Sequence, residues 1–173
     1  MPTFSVDQVQ IFGQGVLKAE GVVVDKAGNV YGGGRNGIVY KVTPDGTVGE
    51  MARLPEGSIP NGITLDAKDN VVYCDLGKQA MMRVSQSGEV SLIADQVGDV
   101  KLTLPNFASY DAEGNLYVSN SSTATIDTAL AELAKPAPNG AVVRIRPNGK
   151  SDVVAKGIYP ANGTAIDPND DAV

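Results

Sequence analysis

The sequence predicts an all-β fold assembled from repeated units. Short runs rich in Val, Ile and Tyr alternate apolar with polar residues, helical periodicity is nearly absent, and turn signals containing Gly or Asn separate the runs. The chain has 173 residues with 20 Gly and 10 Pro, so it is rich in turn formers without being of low complexity. Because a chain of this length can bury a substantial core, we expect one domain over residues 1–173.

The repeated units share an aspartate that follows an apolar run, at Asp25, Asp66, Asp111 and Asp167. After each of the first three come a turn, a second run that contains Tyr, and a third run with a basic residue, which is Lys41, Arg83 or Arg144. Five residues later stands a glycine, at Gly46, Gly88 and Gly149. Glycine is favoured there because it accepts the positive φ of tight hairpin turns.

Four short strands in a unit of about 40 to 45 residues indicate the blade of a β-propeller. The alternative, a parallel β-helix, has much shorter coils. We expect complete four-stranded antiparallel blades at residues 20–60, 61–104 and 105–160, with additional strands at 4–12 and 162–173. The whole chain is then one partial β-propeller domain.

The third blade contains an insertion whose pattern is helical. Residues 126–135 place Ile126, Leu130 and Leu133 on one face, and Pro136 follows, which predicts a short amphipathic helix. Such a helix could cover a pocket, present a face to a partner, or pack against its own blade, and the pattern leaves the three alternatives open.

Composition excludes several classes of site and partner. The chain has no His, so it contains no Ser-His-Asp or Cys-His hydrolase site and no His-ligated zinc. Its net charge of −6 argues against nucleic acid and anionic membrane surfaces as partners. Cys74 has no second cysteine to pair with, and the first residues lack the basic and apolar regions of a signal peptide. We therefore expect a cytoplasmic location.

An oxygen-bearing side chain stands five residues before each repeated aspartate, at Glu20, Asn61, Asn106 and Asn162. In a propeller the residues entering the first strand of each blade converge on the central channel. Ca²⁺ takes about six to eight oxygen ligands, so the pattern favours a divalent cation site. Asn also favours turns, which is the preferred interpretation of Asn61, and Glu20 could be a surface carboxylate.

Two other motifs have competing interpretations. Asp75 follows Cys74 in a second strand and could line a substrate site together with Asn61, although a turn or surface carboxylate is the alternative we favour. Residues 32–37 match G-x-G-x-x-G, but they join two strands and open no helix, which excludes a dinucleotide site.

Several segments resemble the strictosidine-synthase-like proteins: residues 104–107 (LPNF), 116–122 (LYVSNSS), 140–145 (GAVVRI) and 159–163 (YPANG). These proteins belong with regucalcin, gluconolactonases, paraoxonases and diisopropylfluorophosphatase to a superfamily of six-bladed propellers. The resemblance covers nearly the whole chain. It implies a catalytic Ca²⁺ held by Glu20, Asn106 and Asn162, and hydrolysis of a lactone, ester or phosphoester.

The resemblance also implies residues that this sequence lacks. A further Asp ligand of the family enters the fifth blade, and the catalytic Glu of strictosidine synthase lies later still, so we do not expect strictosidine synthase activity. Open sheet edges predict self-association into a homodimer or another homo-oligomer that completes the ring and the site. The competing hypotheses are a non-enzymatic binding scaffold similar to NHL repeats and a degenerate gene fragment that folds by associating.

Overall fold

The computed structural model describes residues 5–167 and contains three consecutive four-stranded antiparallel sheets. The first blade consists of β1 (Val22–Val24), β2 (Val30–Gly34), β3 (Ile38–Val42) and β4 (Val48–Arg53). The second consists of β5 (Pro60–Leu65), β6 (Val71–Asp75), β7 (Ala80–Val84) and β8 (Val90–Ala94). The third consists of β11 (Pro105–Tyr110), β12 (Leu116–Asn120), β13 (Gly140–Ile145) and β14 (Ser151–Ile158). In each blade the strands are ordered as in the chain, which confirms the predicted propeller architecture.

Apolar side chains pack between neighbouring blades, because successive residues of a strand point to opposite faces. In β6, Val71 and Tyr73 pack against the first blade, whereas Val72 and Cys74 pack against the third. All five residues of β6 are buried, so the second blade is covered on both faces. Between the second and third blades, the short hairpin of β9 (Gln96–Val97) and β10 (Val100–Lys101) adds the buried Val97 to the core. The sequence did not predict this hairpin.

The repeated aspartates close the turn between the first and second strands of each blade. The backbone N–H groups of Asn29, Asn70 and Asn115 donate to Oδ1 of Asp25, Asp66 and Asp111 at 2.8, 3.0 and 2.7 Å. The same three asparagines also donate from Nδ2 to the second carboxylate oxygen. These aspartates therefore have a structural role. The hairpin glycines have positive φ as predicted, at +85° for Gly46 and Gly88 and +80° for Gly149.

The basic residue of each blade also has a structural role. The Lys41 ammonium lies 5.5 Å from the centre of the Tyr31 ring in the first blade. In the third blade the Arg144 guanidinium lies 5.9 Å from the Tyr117 ring. In both pairs the two residues are cross-strand neighbours in register, so each base covers an aromatic face, and the Arg144 guanidinium also pairs with Asp152 at 2.9 Å.

The second blade departs from this arrangement. Val72 lies opposite Arg83 in the sheet, and Tyr73 is one residue out of step with the tyrosines of the other blades. Tyr73 therefore does not correspond to Tyr31 and Tyr117, because a shift of one residue turns a side chain to the other face of the sheet. Burial raises the pKa of Tyr73, whose hydroxyl has no hydrogen-bond partner among residues 5–167.

The insertion forms a helix, α1 (Ala129–Ala134), inside the predicted range 126–135. The helix is shorter than predicted, and Leu130 on it is 82% exposed, so the expected apolar face is only partly covered. Within residues 5–167, no helix has the length and apolarity that crossing a bilayer requires.

The additional strands expected at 4–12 and 162–173 differ in the structure. Residues 5–12 contain a single 3-10 turn, Val6–Gln8, and no strand, because no sheet edge of the described chain pairs with them. Residues 162–167 join no ladder, although the Ser109 hydroxyl donates to the Thr164 carbonyl at 3.2 Å and holds the segment against the third blade. Residue 4 and residues 168–173 lie outside the described range.

Candidate functional site

The four oxygen-bearing residues chosen by their position in the repeat line one pocket, where the inner strands of the blades meet. The pocket has a volume of about 470 Å³, and Glu20, Asn61, Asn106 and Asn162 all belong to its wall. Glu20 and Asn162 are exposed, whereas Asn61 and Asn106 are half-buried. The first strands β5 and β11, the segment just before β1 and the segment after β14 therefore bring these side chains together, as their shared register predicted.

Glycines beside these residues let the inner strands approach each other closely. A Cβ on Gly62 would lie 2.3 Å from the carbonyl oxygen of Asn106, and one on Gly21 would lie 3.1 Å from that of Asn61. Neither glycine has positive φ. The requirement at both positions is therefore space between blades, and it draws the neighbouring site residues toward the channel axis.

Asn61 is held by the neighbouring blade and forms no turn of its own. It lies in β5, and its Nδ2 donates to the backbone carbonyl of Asn106 at 3.0 Å. The turn interpretation preferred for Asn61 is thus wrong: its partner lies 45 residues away. This bond uses one of the two Nδ2 hydrogens and leaves Oδ1 as the acceptor that Asn61 can offer to a cation in the pocket.

Asp75, expected as a second substrate-lining candidate, does not line this pocket. Its side chain is fully buried, and Oδ1 accepts backbone N–H bonds from Ile59, Gly77 and Lys78 at 2.9, 3.1 and 3.0 Å. Oδ1 is thus occupied by backbone donors from two loops, which it orders, whereas Oδ2 is buried and has no hydrogen-bond partner among residues 5–167. Asp75 is the turn carboxylate of the alternative interpretation, although it is not on the surface.

Glu132 is a pocket residue that sequence reasoning missed. It lies on α1 and lines the pocket together with Ile126, Ala129 and Leu133. Its Oε1 atom is buried and has no hydrogen-bond partner among residues 5–167. No repeat position marks Glu132, because it belongs to the insertion, and a cover for a pocket was only one of the three alternatives that the sequence left open for this helix.

The side chains that line the pocket could bind a hard cation through their oxygen atoms and the apolar part of an organic ligand through their hydrocarbon surface. Two carboxylates and three amide side chains supply oxygen, and the residues of the wall include no Lys or Arg. Within residues 5–167 no group of three or more Asp, Glu, Cys or His side chains is placed to hold a metal, so the amides are essential to any such site. Leu76, Leu104 and Phe107 provide an apolar surface nearby.

Cys74 does not contribute to this chemistry. Its thiol is completely buried in the core between the second and third blades, and burial raises its pKa, with the nearby Asp75 carboxylate adding to the effect. A thiol in this environment is a poor nucleophile, because the thiolate is the reactive form. Cys74 therefore serves as a small buried apolar residue of the core.

Residues 19–173 of the chain match the sequence model of a protein family, the SMP-30/Gluconolactonase/LRE-like region. The chain belongs to this family. A gluconolactonase of Zymomonas mobilis is 23% identical over 176 residues, which cover 94% of this chain and 49% of that protein. The chain thus spans about half the length of this curated relative. The predicted superfamily is confirmed by the match.

Solved structures show the same propeller fold for this family member. A gluconolactonase from Xanthomonas campestris superposes with a TM-score of 0.71 at 21% identity, covering 90% of this chain and 52% of that one. A virginiamycin B lyase from Staphylococcus aureus superposes with a TM-score of 0.57 at 16% identity, covering 76% and 39%. Both similarities concern the fold alone.

Proposed function

We propose that this chain binds a divalent cation, Ca²⁺, through Glu20, Asn106 and Asn162, and that the site hydrolyses a lactone or ester. The observation that carries the proposal is the convergence of these side chains on one pocket from equivalent positions of the blades. Similarity to gluconolactonases supports the substrate class, and the donor set of carboxylate and amide oxygens supports the ion.

In such a reaction different residues of the pocket would bind the ion and the substrate. Glu20, Asn106 and Asn162 would hold the ion, and Leu104 and Phe107 would contact the apolar part of a ligand. A bound Ca²⁺ supplies polarisation of the ester or lactone oxygen.

We further propose that a second copy of this chain packs beside the described blades and surrounds the channel. The face of the first blade opposite the second blade leaves Val22 and Val24 65% and 58% exposed. The chain covers about half of its relatives, so two copies related by two-fold symmetry contain the blades of one ring.

Calorimetric titration with Ca²⁺ tests the site directly. The wild-type chain should bind the ion, and Asn106→Ala and Glu20→Gln should each weaken binding about tenfold or more, because each removes a ligand oxygen or its charge. Glu56→Gln makes the same change of charge at an exposed position away from the pocket and should leave the affinity unchanged.

An assay of hydrolysis distinguishes the hydrolase proposal from the binding-scaffold hypothesis. Hydrolysis of a panel of sugar lactones and aryl esters should require Ca²⁺ and should fall in Asn106→Ala by the same factor as ion occupancy. If the wild type binds no Ca²⁺, the cation site is refuted. If it binds Ca²⁺ and turns over no member of the panel, the binding-scaffold hypothesis is favoured instead.

A further inference from the structure

Glu132 has a buried carboxylate oxygen with neither a hydrogen-bond donor nor a positive charge beside it in the described part of the chain. Oε1 is inaccessible to solvent and accepts no hydrogen bond from residues 5–167. Burying a carboxylate oxygen is unfavourable unless a donor or a positive charge compensates for the lost hydration. The side chain nevertheless forms part of the pocket wall rather than turning out to water.

The neighbouring side chains do not supply the missing positive charge. The pocket wall contains no Lys or Arg, and the chain has no His. Of the amide donors, Asn61 Nδ2 is already bound to the Asn106 carbonyl. The other carboxylate of the wall, Glu20, adds negative charge. The amide and hydroxyl groups of the wall donate no hydrogen bond to Oε1, and they are neutral, so the partner that would also compensate the charge of the carboxylate is a positively charged ligand in the pocket.

We propose that Glu132 is an additional ligand of the cation, donated by the helix α1. This inference rests on the proposed cation site of Glu20, Asn106 and Asn162. Two carboxylates balance the charge of a divalent ion, and the fourth side chain moves the protein's share closer to the six to eight oxygens that Ca²⁺ takes. The helix then acts as a lid whose position depends on the ion.

The helix has few other contacts that would hold it in place. It has six residues, none of which is buried, and Leu133 is 59% exposed even though it lines the pocket. A helix of this length is not stable by itself in water. A bond from Glu132 to the ion would therefore contribute a large part of what orders residues 129–134.

Calorimetric titration of Glu132 variants with CaCl₂ tests the proposal. Glu132→Gln keeps the length of the side chain and removes its charge, and Glu132→Ala favours the helix but removes the oxygens. Both should weaken Ca²⁺ binding about tenfold or more. Asp127→Asn removes one charge just before the helix, at an exposed residue outside the pocket wall, and should bind as the wild type does.

Hydrogen exchange gives a second readout that does not depend on activity. Ca²⁺ should slow exchange of the amides of residues 129–134 in the wild type and in Asp127→Asn, but not in Glu132→Ala. If Asn106→Ala loses Ca²⁺ binding while Glu132→Gln binds within twofold of the wild type, Glu132 is not a ligand and the cation site stands. Absence of binding by the wild type would refute both proposals, and equal losses in Asp127→Asn and Glu132→Gln would show a nonspecific charge effect.

Discussion

At the scale of single residues, two buried polar side chains position the segments that carry the site. Asp75 and Asn120 occupy equivalent places at the ends of β6 and β12. Asp75 Oδ1 accepts from the Ile59 N–H at 2.9 Å, and Asn120 Oδ1 accepts from the Leu104 N–H at 2.9 Å. Each bonded N–H lies two residues before a pocket asparagine, so these side chains fix how the inner strand begins.

Replacing Asp75 should therefore destabilise the fold. Asp75→Ala leaves three backbone N–H groups without their acceptor, and we expect the free energy of unfolding to fall by about 2–4 kcal/mol. Asp75→Asn retains the Oδ1 acceptor and should recover most of the loss. Urea unfolding followed by circular dichroism measures both variants, with the exposed Glu56→Ala as control. Equal midpoints for Asp75→Ala and the wild type would contradict this role.

At the scale of elements, the aspartate turns of the first and third blades link the stability of the fold to pH. The side chain of Asn29 donates to Asp25 and holds the pKa of that carboxyl below its ordinary value of 3.8. Burial of Asp111 opposes its ionisation, but hydrogen bonds from Asn115 and Tyr117 outweigh this effect and its pKa is also lowered. Both turns therefore bind the charged form of the aspartate.

The sign of the pH dependence follows from these lowered pKa values. A carboxyl whose pKa is lower in the folded chain stabilises the fold above its unfolded value, and this contribution is lost as the pH falls through the folded pKa. The free energy of unfolding should thus decrease below about pH 4. In Asp111→Asn it should be lower at pH 7 and should depend less on pH between 2 and 4. Urea unfolding at several pH values in this range measures the free energy of unfolding. If it changes with pH equally in the wild type and in Asp111→Asn, Asp111 does not contribute to the pH dependence.

At the scale of the whole molecule, three blades leave one sheet face partly uncovered. Val23 packs toward the second blade, so Val22 and Val24 point to the opposite side, where both are exposed. Exposed apolar side chains on an uncovered sheet favour contact with a further protein surface. The proposed second copy would cover them.

Light scattering of the purified chain tests this self-association. The wild type should have twice the mass of one chain, and Val22→Glu with Val24→Glu should give a monomer, because burying two carboxylates in the interface is unfavourable. Leu92→Glu places one such carboxylate at an exposed apolar residue of the second blade and should remain dimeric, and Val22→Glu alone, which adds the same single charge, should weaken the dimer. If the wild type is a monomer, the proposal is wrong. The face of Val22 and Val24 would then be covered by a different protein surface, such as further blades of a longer chain.

The repeat explains why much of the site was predictable. Glu20, Asn61, Asn106 and Asn162 share one register, and symmetry-equivalent positions of blades must meet at the channel. The exceptions have local causes. For Asp75 the sequence indicated a turn carboxylate but did not indicate that the side chain is buried. The three backbone donors that bind it come from two loops and cannot be inferred from its neighbours in sequence. Glu132 lies in an insertion outside the repeat, so no equivalent position identified it.

The sequence by itself determined the periodic features: the four strands of each blade, the glycines of the hairpins and the ring of oxygen-bearing side chains. These follow from local alternation and backbone preference, which repeat in every unit. Only the tertiary structure decided that Asn61 bonds to the neighbouring blade, that Tyr73 turns toward the first blade, and that a buried oxygen of Glu132 reaches the pocket. Each of these depends on how blades and an insertion pack against one another, which is a contact between distant residues that no local pattern encodes.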